Sequence, residues 1–165
     1  MTIKNFRTAL LCLFFIFISC ANKATQATAS ITAKVIAVKD GDTIEVLYDG
    51  KPLTVRLAHI DCPEIRKGQP YAKAAKQLTS DLCFAQLVTV ENEGKYDRNH
   101  RLIGVIINAA GKNVNKELVK AGLAWHFKKF SKDASYSDLE LVARKNKTGL
   151  WADENPTPPW EWRKP

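Results

Sequence analysis

Three short clusters hold the side chains that could do chemistry. The first is Asp40-Gly41-Asp42-Thr43, where carboxylates beside a glycine turn present hard oxygen ligands suited to Mg²⁺ or Ca²⁺. Taken alone, an Asp-Gly turn with solvated acids is the plainer account. The second is Arg56-Leu57-Ala58-His59-Ile60-Asp61-Cys62-Pro63-Glu64. Alternation along a strand puts Arg56 on the face opposite Leu57. Asp61 and Glu64, spaced Asp-x-x-Glu at a turn fixed by Pro63, can divide labour between metal ligand and general base. The competing account is a polar loop with a surface ion pair to Arg56, contributing about 0–1 kcal/mol. The third cluster, Tyr96-Asp97-Arg98-Asn99-His100-Arg101, precedes an apolar strand. Paired arginines there can clamp a phosphate through two hydrogen bonds, or simply decorate a charged hairpin.

These clusters need a scaffold to position them. Ile31 to Lys39 and Thr43 to Tyr48 alternate like strands, and Asp49-Gly50 is a two-residue hairpin signal before a third strand, Leu53 to Ile60. Gln69 to Phe84 has helical spacing of apolar residues, and strand character returns at Leu87 to Glu93 and Leu102 to Asn108. Val114 to Ala121 and Ser137 to Lys147 are predicted helices, with stops at Gly122 and Gly149. This order predicts an α+β fold: a five-stranded, OB-fold-like Greek-key β-barrel with about three packed helices, an architecture often used on nucleic acids.

Taken in order, DGDT, R-x4-D-x-P-E and D-x3-R resemble the staphylococcal (thermo)nuclease family. The resemblance runs on through Val114 to Ala124 and ends near Thr148-Gly149-Leu150-Trp151, covering about residues 31–153. It implies a calcium-dependent endonuclease that hydrolyses phosphodiester bonds of DNA and RNA with low sequence specificity and leaves 3′-phosphate ends. Carried over residue by residue, Asp42 and Asp61 are the calcium carboxylates, and the backbone carbonyl of Cys62 is a third ligand. Glu64 is the general base, and Arg56 and Arg101 hold the phosphate. Two tyrosines that the family places against the nucleotide correspond to Lys128 and Phe130, which can contact phosphate and stack on a base. Asn99-His100 stands where the family has Tyr-Gly, so His100 is expected to crowd its loop. The alternative is a catalytically weak or silent nucleic-acid-binding module of the same fold, although the retained set Asp42, Arg56, Asp61, Glu64 and Arg101 is more than a scaffold needs.

His59, His100 and His126 show no zinc-ligand spacing, and packing is the expected role of His59. His126 sits in Trp125-His126-Phe127-Lys128-Lys129-Phe130, a basic run interleaved with aromatics that can anchor the core or contact nucleic acid.

The remaining segments bear on location. Lys4 and Arg7 precede the apolar stretch Thr8 to Ser19, too short to span a bilayer and flanked like a signal peptide over residues 1–19. Phe17-Ile18-Ser19-Cys20 resembles a lipobox, which predicts a lipidated Cys20 and an exported protein attached to the cell envelope; cleavage near Ala27 or Ala29 would instead free a secreted enzyme. Residues 20–30 read as a flexible tether, 31–153 as the nuclease-like domain and 154–165 as a Pro/Trp-rich tail that three prolines keep extended and that can pack both tryptophans back on the barrel or serve a partner. The chain carries 25 basic and 17 acidic residues, which favours polyanionic partners without choosing among them. No protein partner is inferable. Cys62 and Cys83 can form one bridge or remain buried thiols.

Overall fold

The computed structural model describes residues 29–164. The predicted leader and Cys20 lie outside the described residues. Strand β1 (Ala29–Asp40) opens the domain, so Ala29 and Ser30 belong to the barrel and not to the tether. It is followed by β2 (Thr43–Tyr48), β3 (Lys51–Leu57), the short β4 (Ile60–Asp61) and helix α1 (Ala72–Cys83). Then come β5 (Leu87–Tyr96), β6 (Leu102–Ile107), α2 (Val114–Lys120), the short β7 (Trp125–His126) and α3 (Ala134–Lys145). A 3₁₀ turn (Gly149–Ala152) and a single helical turn, α4 (Pro159–Trp162), complete the order.

Five strands close into a barrel in the order β1-β2-β3-β6-β5. All neighbours are antiparallel except β3 and β6, which run parallel with Arg56 opposite Ile103. Closure leaves no unpaired sheet edge among these strands. The predicted hairpin forms at Asp49-Gly50, both residues having positive φ, as the mirror-image turns of tight hairpins require. Alternation fills the interior: Val35, Ile44, Val46, Val55, Val90 and Ile106 are fully buried. Each such side chain contributes about 1.5–3 kcal/mol as an upper estimate, which makes the barrel the rigid base for the loops at its mouth.

Helix α1 lays Ala72, Ala75, Thr79 and Cys83 against the barrel. It begins later than its apolar pattern suggests because Pro70 and the left-handed Tyr71 (φ 66°) precede it. Helix α2 is capped by the Asn113 side chain, which accepts from the Lys116 amide, and α3 by Asp133, which accepts from the Ser135 amide. Helix α3 ends before the stop expected at Gly149, with Lys147 adopting a left-handed conformation (φ 51°). The third predicted strand breaks at His59 (φ 68°), and Ile60–Asp61 pairs with β7 instead of extending β3. Cys62 and Cys83 are free and buried.

The tail takes the packed alternative and turns helical at its end. It is not extended throughout: Pro159 takes a first-turn helical position, where its missing amide proton costs nothing, and α4 folds back onto the domain. Trp160 packs edge-on against Trp125 at 5.6 Å and stacks on Phe127 at 5.3 Å between ring centres.

Candidate active site

Strand pairing carries the three clusters to one end of the barrel. Thr43 lies opposite Arg56 across β2 and β3, the Leu57 amide donates to the Asp42 carbonyl at 2.8 Å, and the start of β6 brings Arg101 alongside. The turn at Gly41 has no room for a side chain. A Cβ there would stand 2.8 Å from the Ala75 Cβ and 2.9 Å from the Cys62 Cβ, closer than carbon atoms pack. Helix α1 further pins this turn, since Thr79 Oγ1 donates to the Gly41 carbonyl at 2.6 Å.

A continuous chain of polar contacts crosses the mouth. Asp97 holds Arg101 through Nε at 2.7 Å, and Arg101 Nη1 donates to Thr43 Oγ1 at 3.1 Å. Thr43 Oγ1 donates in turn to Asp42 Oδ1 at 3.1 Å, while Asp42 Oδ2 accepts from the Cys62 amide at 2.7 Å. Arg56 Nη2 stands 3.1 Å from Asp42 Oδ2 and donates to Asp61 Oδ1 at 2.7 Å. Beyond it Arg163, from the tail, donates to Asp61 Oδ2 at 2.6 Å and to Glu64 Oε1 at 2.5 Å. The predicted residues Asp42, Arg56, Asp61, Cys62, Glu64 and Arg101 are therefore assembled in one network.

Carboxyls outnumber the guanidiniums among them. Burial pushes the Asp40 carboxyl up to about 6, with the neighbouring charges of Asp42 and Glu64 adding to the rise and the Gly41 amide opposing it. Burial likewise raises Asp61, against the opposing hydrogen bond from Arg163 and the charge of Arg56. Burial disfavours the charge on Arg56, but Asp42 and Asp61 together outweigh it and hold the guanidinium firmly protonated. Burial, then the charge of Asp42, drives the Cys62 thiol well up, so this sulfur is a thiol and not a nucleophilic thiolate.

The donor set suits a hard cation. Oxygens of Asp42 and Asp61 already converge within 3.1 Å of one nitrogen, Arg56 Nη2, and carboxylate oxygen favours calcium or magnesium over softer metals. Among the described residues no three His, Cys, Asp or Glu side chains form a ready cage. Asp42 and Asp61 bring two such carboxylates together beside the Cys62 amide.

Lys128 and Phe130 stand apart from this network. Lys128 pairs with Glu140 of α3 at 3.3 Å. Phe130 is 72% exposed and meets Phe127 edge-on. Both lie beyond β7, which pairs with the strand bearing Asp61. Lys128 also lines a groove of about 530 Å³ shared with Trp125, Phe127, Arg144, Trp160 and Lys164. His126 is interior: its Nδ1 meets Ser137 Oγ and its Nε2 meets Ser131 Oγ, each at 2.9 Å. Half-buried His59 shares that Ser131 hydroxyl through Nδ1 at 2.9 Å. Burial holds both imidazoles below their usual pKa.

Some members of the network escaped the motifs. The apolar spacing places Gln69 at the start of a helix, yet its Oε1 accepts from the Glu64 amide at 3.0 Å and its Nε2 donates to the Thr157 carbonyl at 2.7 Å. No spacing rule could have found Arg163, which is 99 positions from Glu64.

Known proteins resemble this chain along most of its length. The family model described as "Staphylococcal nuclease homologue" matches residues 54–153. An "Uncharacterized endonuclease" of Haemophilus influenzae is 37% identical over 98% of this chain and 85% of its own length. A protein of the same description from Escherichia coli O157:H7 is 39% identical over 82% of this chain and 86% of its own. A "Micrococcal nuclease" of Shigella flexneri is 38% identical over 86% of this chain and 85% of its own. Relatives aligned over most of both chains, on a closed barrel that gathers the acids and arginines at its mouth, leave one conclusion: the chain belongs to the staphylococcal nuclease family and is a nuclease, a phosphodiester hydrolase.

Proposed function

We propose that this nuclease is a calcium-dependent endonuclease of low sequence specificity that cleaves DNA and RNA and leaves 3′-phosphate ends. The observation that carries the reading is the convergence of Asp42 and Asp61 oxygens on one cationic nitrogen, with Glu64 bound to the same guanidinium as Asp61. Asp42, Asp61 and the Cys62 carbonyl would hold calcium, which would supply positive charge at the phosphate. Glu64 takes the proton of the attacking water as its oxygen bonds to phosphorus. The bond from phosphorus to the 5′ oxygen breaks, and that oxygen collects a proton from solvent. Arg56 and Arg101 bind the non-bridging oxygens and offset the charge that develops there. Arg101 is preorganised for this by Asp97. An open site of this kind binds calcium weakly, with Kd about 10⁻⁴–10⁻³ M, which suits an exterior setting.

Lys128 and Phe130 extend the substrate path, contacting phosphate and stacking on a base. Binding is mostly electrostatic and weakens steeply with salt, because no element among the described residues resembles a base-reading helix. No helix among the described residues is long and apolar enough to cross a membrane. Export and membrane attachment through a lipidated Cys20 complete the proposal; palmitate labelling that is lost in Cys20→Ser would support the anchor.

The deciding experiment incubates the purified protein with labelled DNA and RNA, with calcium or with chelator, and tests product ends for sensitivity to a 3′-phosphatase. Cleavage only with millimolar calcium, poorly replaced by magnesium, is expected. Full activity in chelator would overturn the proposal. Asp42→Ala should be rescued in part by excess calcium, since it loses a ligand and not the base.

A further inference from the structure

Asp61, proposed above as a calcium ligand, is only 1% exposed, and what covers it includes the tail. Arg163 Nη2 contacts Asp61 Oδ2 at 2.6 Å, and Arg163 Nη1 reaches Asp61 Oδ1 at 3.3 Å and Glu64 Oε1 at 2.5 Å. Arg56 occupies Asp61 Oδ1 from the other side at 2.7 Å. Both oxygens of this carboxylate, and one of the general base, are thus engaged by guanidinium groups.

The contact is built and not incidental. Trp162 Nε1 donates to the Lys67 carbonyl at 3.2 Å, and Lys67 Nζ donates to the Arg163 carbonyl at 2.8 Å. Gln69 ties the same loop to Thr157 at 2.7 Å. Trp160 anchors the turn on Trp125 and Phe127. The loop that bears Glu64 and the tail that bears Arg163 are therefore joined at several points, and the tail lies outside the stretch matched by the family model.

We propose that Arg163 is a further positioning residue of the active site, a displaceable cation that holds Asp61 and Glu64 in the calcium-free enzyme and sets the calcium concentration at which the site forms. The proposal rests on the calcium reading above. A hard cation and the guanidinium need the same Asp61 oxygens, so binding of one excludes the other. Arg163 also fills the Glu64 oxygen that would accept the proton from water. Its side chain is 39% exposed, so it can swing into solvent without unpacking the barrel. It neutralises the acids in the meantime, limiting their mutual repulsion.

When the competent state is a fraction of the population, apparent affinity falls by that fraction. If Arg163 covers the site about nine-tenths of the time, Arg163→Ala should bind calcium about tenfold more tightly. The test is calorimetric titration of calcium into the full wild-type chain, Arg163→Ala and Lys67→Ala, with the calcium concentration for half-maximal DNA cleavage measured alongside. Tighter binding by Arg163→Ala, a smaller gain for Lys67→Ala, and parallel shifts in the activity midpoint are expected. Lys67 lies outside the carboxylate cluster and loosens the tail only through its bond to Arg163, so it serves as the second variant should Arg163→Ala misfold. Equal affinities across the three proteins, or weaker binding by the variants, would overturn the proposal while leaving the calcium site intact. Absence of calcium binding in all three would instead overturn the calcium reading and this inference with it.

Discussion

Two polar networks flank the β4–β7 ladder, and they are built on opposite principles. The mouth network from Asp97 to Glu64 is charged, its carboxyls outnumber its guanidiniums, and several oxygens are held by side chains that can be exchanged for a substrate or an ion. The histidine network behind it links His59, Ser131, His126 and Ser137 with neutral partners at 2.9 Å throughout, and Tyr136 covers the His59 ring at 4.8 Å. In the second network both serine hydroxyls and three of the four ring nitrogens pair with one another, so it carries no charge to offer a substrate. Histidine is the residue type that invites a catalytic reading, yet here acids and arginines carry the unbalanced charge. Proximity to a site does not make a polar cluster part of its chemistry; unmatched charge does.

The comparison can be broken by mutation. The largest effect should come from Glu64→Gln, which keeps size and most hydrogen bonding while removing the proton acceptor; turnover should fall about 10²–10⁴-fold. Wild-type kcat in this variant would reassign the base. Next, Arg101→Ala should lower kcat about 10²–10³-fold, by analogy with the loss of a transition-state donor, with little change in the melting temperature.

Ser131→Ala should do the reverse. It strips the shared hydroxyl from one buried and one half-buried imidazole and should cost about 1–3 kcal/mol of stability. Chemical denaturation reads that loss, and kcat per folded molecule should stay close to wild type. A large fall in kcat would draw the histidines into the mechanism.

Acidity separates the networks further. Both imidazoles are held below the ordinary histidine value of 6.5 by burial. The unfolded chain therefore binds protons that the folded protein resists, so stability is full above about pH 6.5 and declines as pH falls below it. Asp40, raised to about 6, acts with the opposite sign, since the folded state takes up its proton first. In thermal melts between pH 8 and 5.5, His126→Gln should lose less stability toward acid than wild type. An unchanged pH profile in that variant would remove His126 from the account.

The smallest effect concerns the loop that the sequence marks as crowded. His100 has φ 56°, a left-handed conformation that glycine adopts without strain. His100→Gly should stabilise the protein by about 0.5–1 kcal/mol, read as a small rise in the denaturation midpoint.

Much of this was legible in the chain because it is local. Alternation fixed the barrel strands, since the two faces of a strand meet different environments. Asp49-Gly50 announced its hairpin because few residues tolerate two positive φ values in succession. The ordered motifs named Asp42, Arg56, Asp61, Glu64 and Arg101, and strand register brought them together. Tertiary structure decided the rest. Spacing could not say that Asp61 would leave its strand to pair with Trp125, nor that Gly41 is needed because Ala75 and Cys62 press on it from distant elements. It could not place His59 and His126 on one serine. Least of all could it predict that a proline-rich tail turns helical at Pro159 and delivers Arg163 to two carboxylates. Prolines constrain their own backbone and the residue before them, whereas the fold-back depends on aromatic packing and buried negative charge that exist only once the barrel has closed.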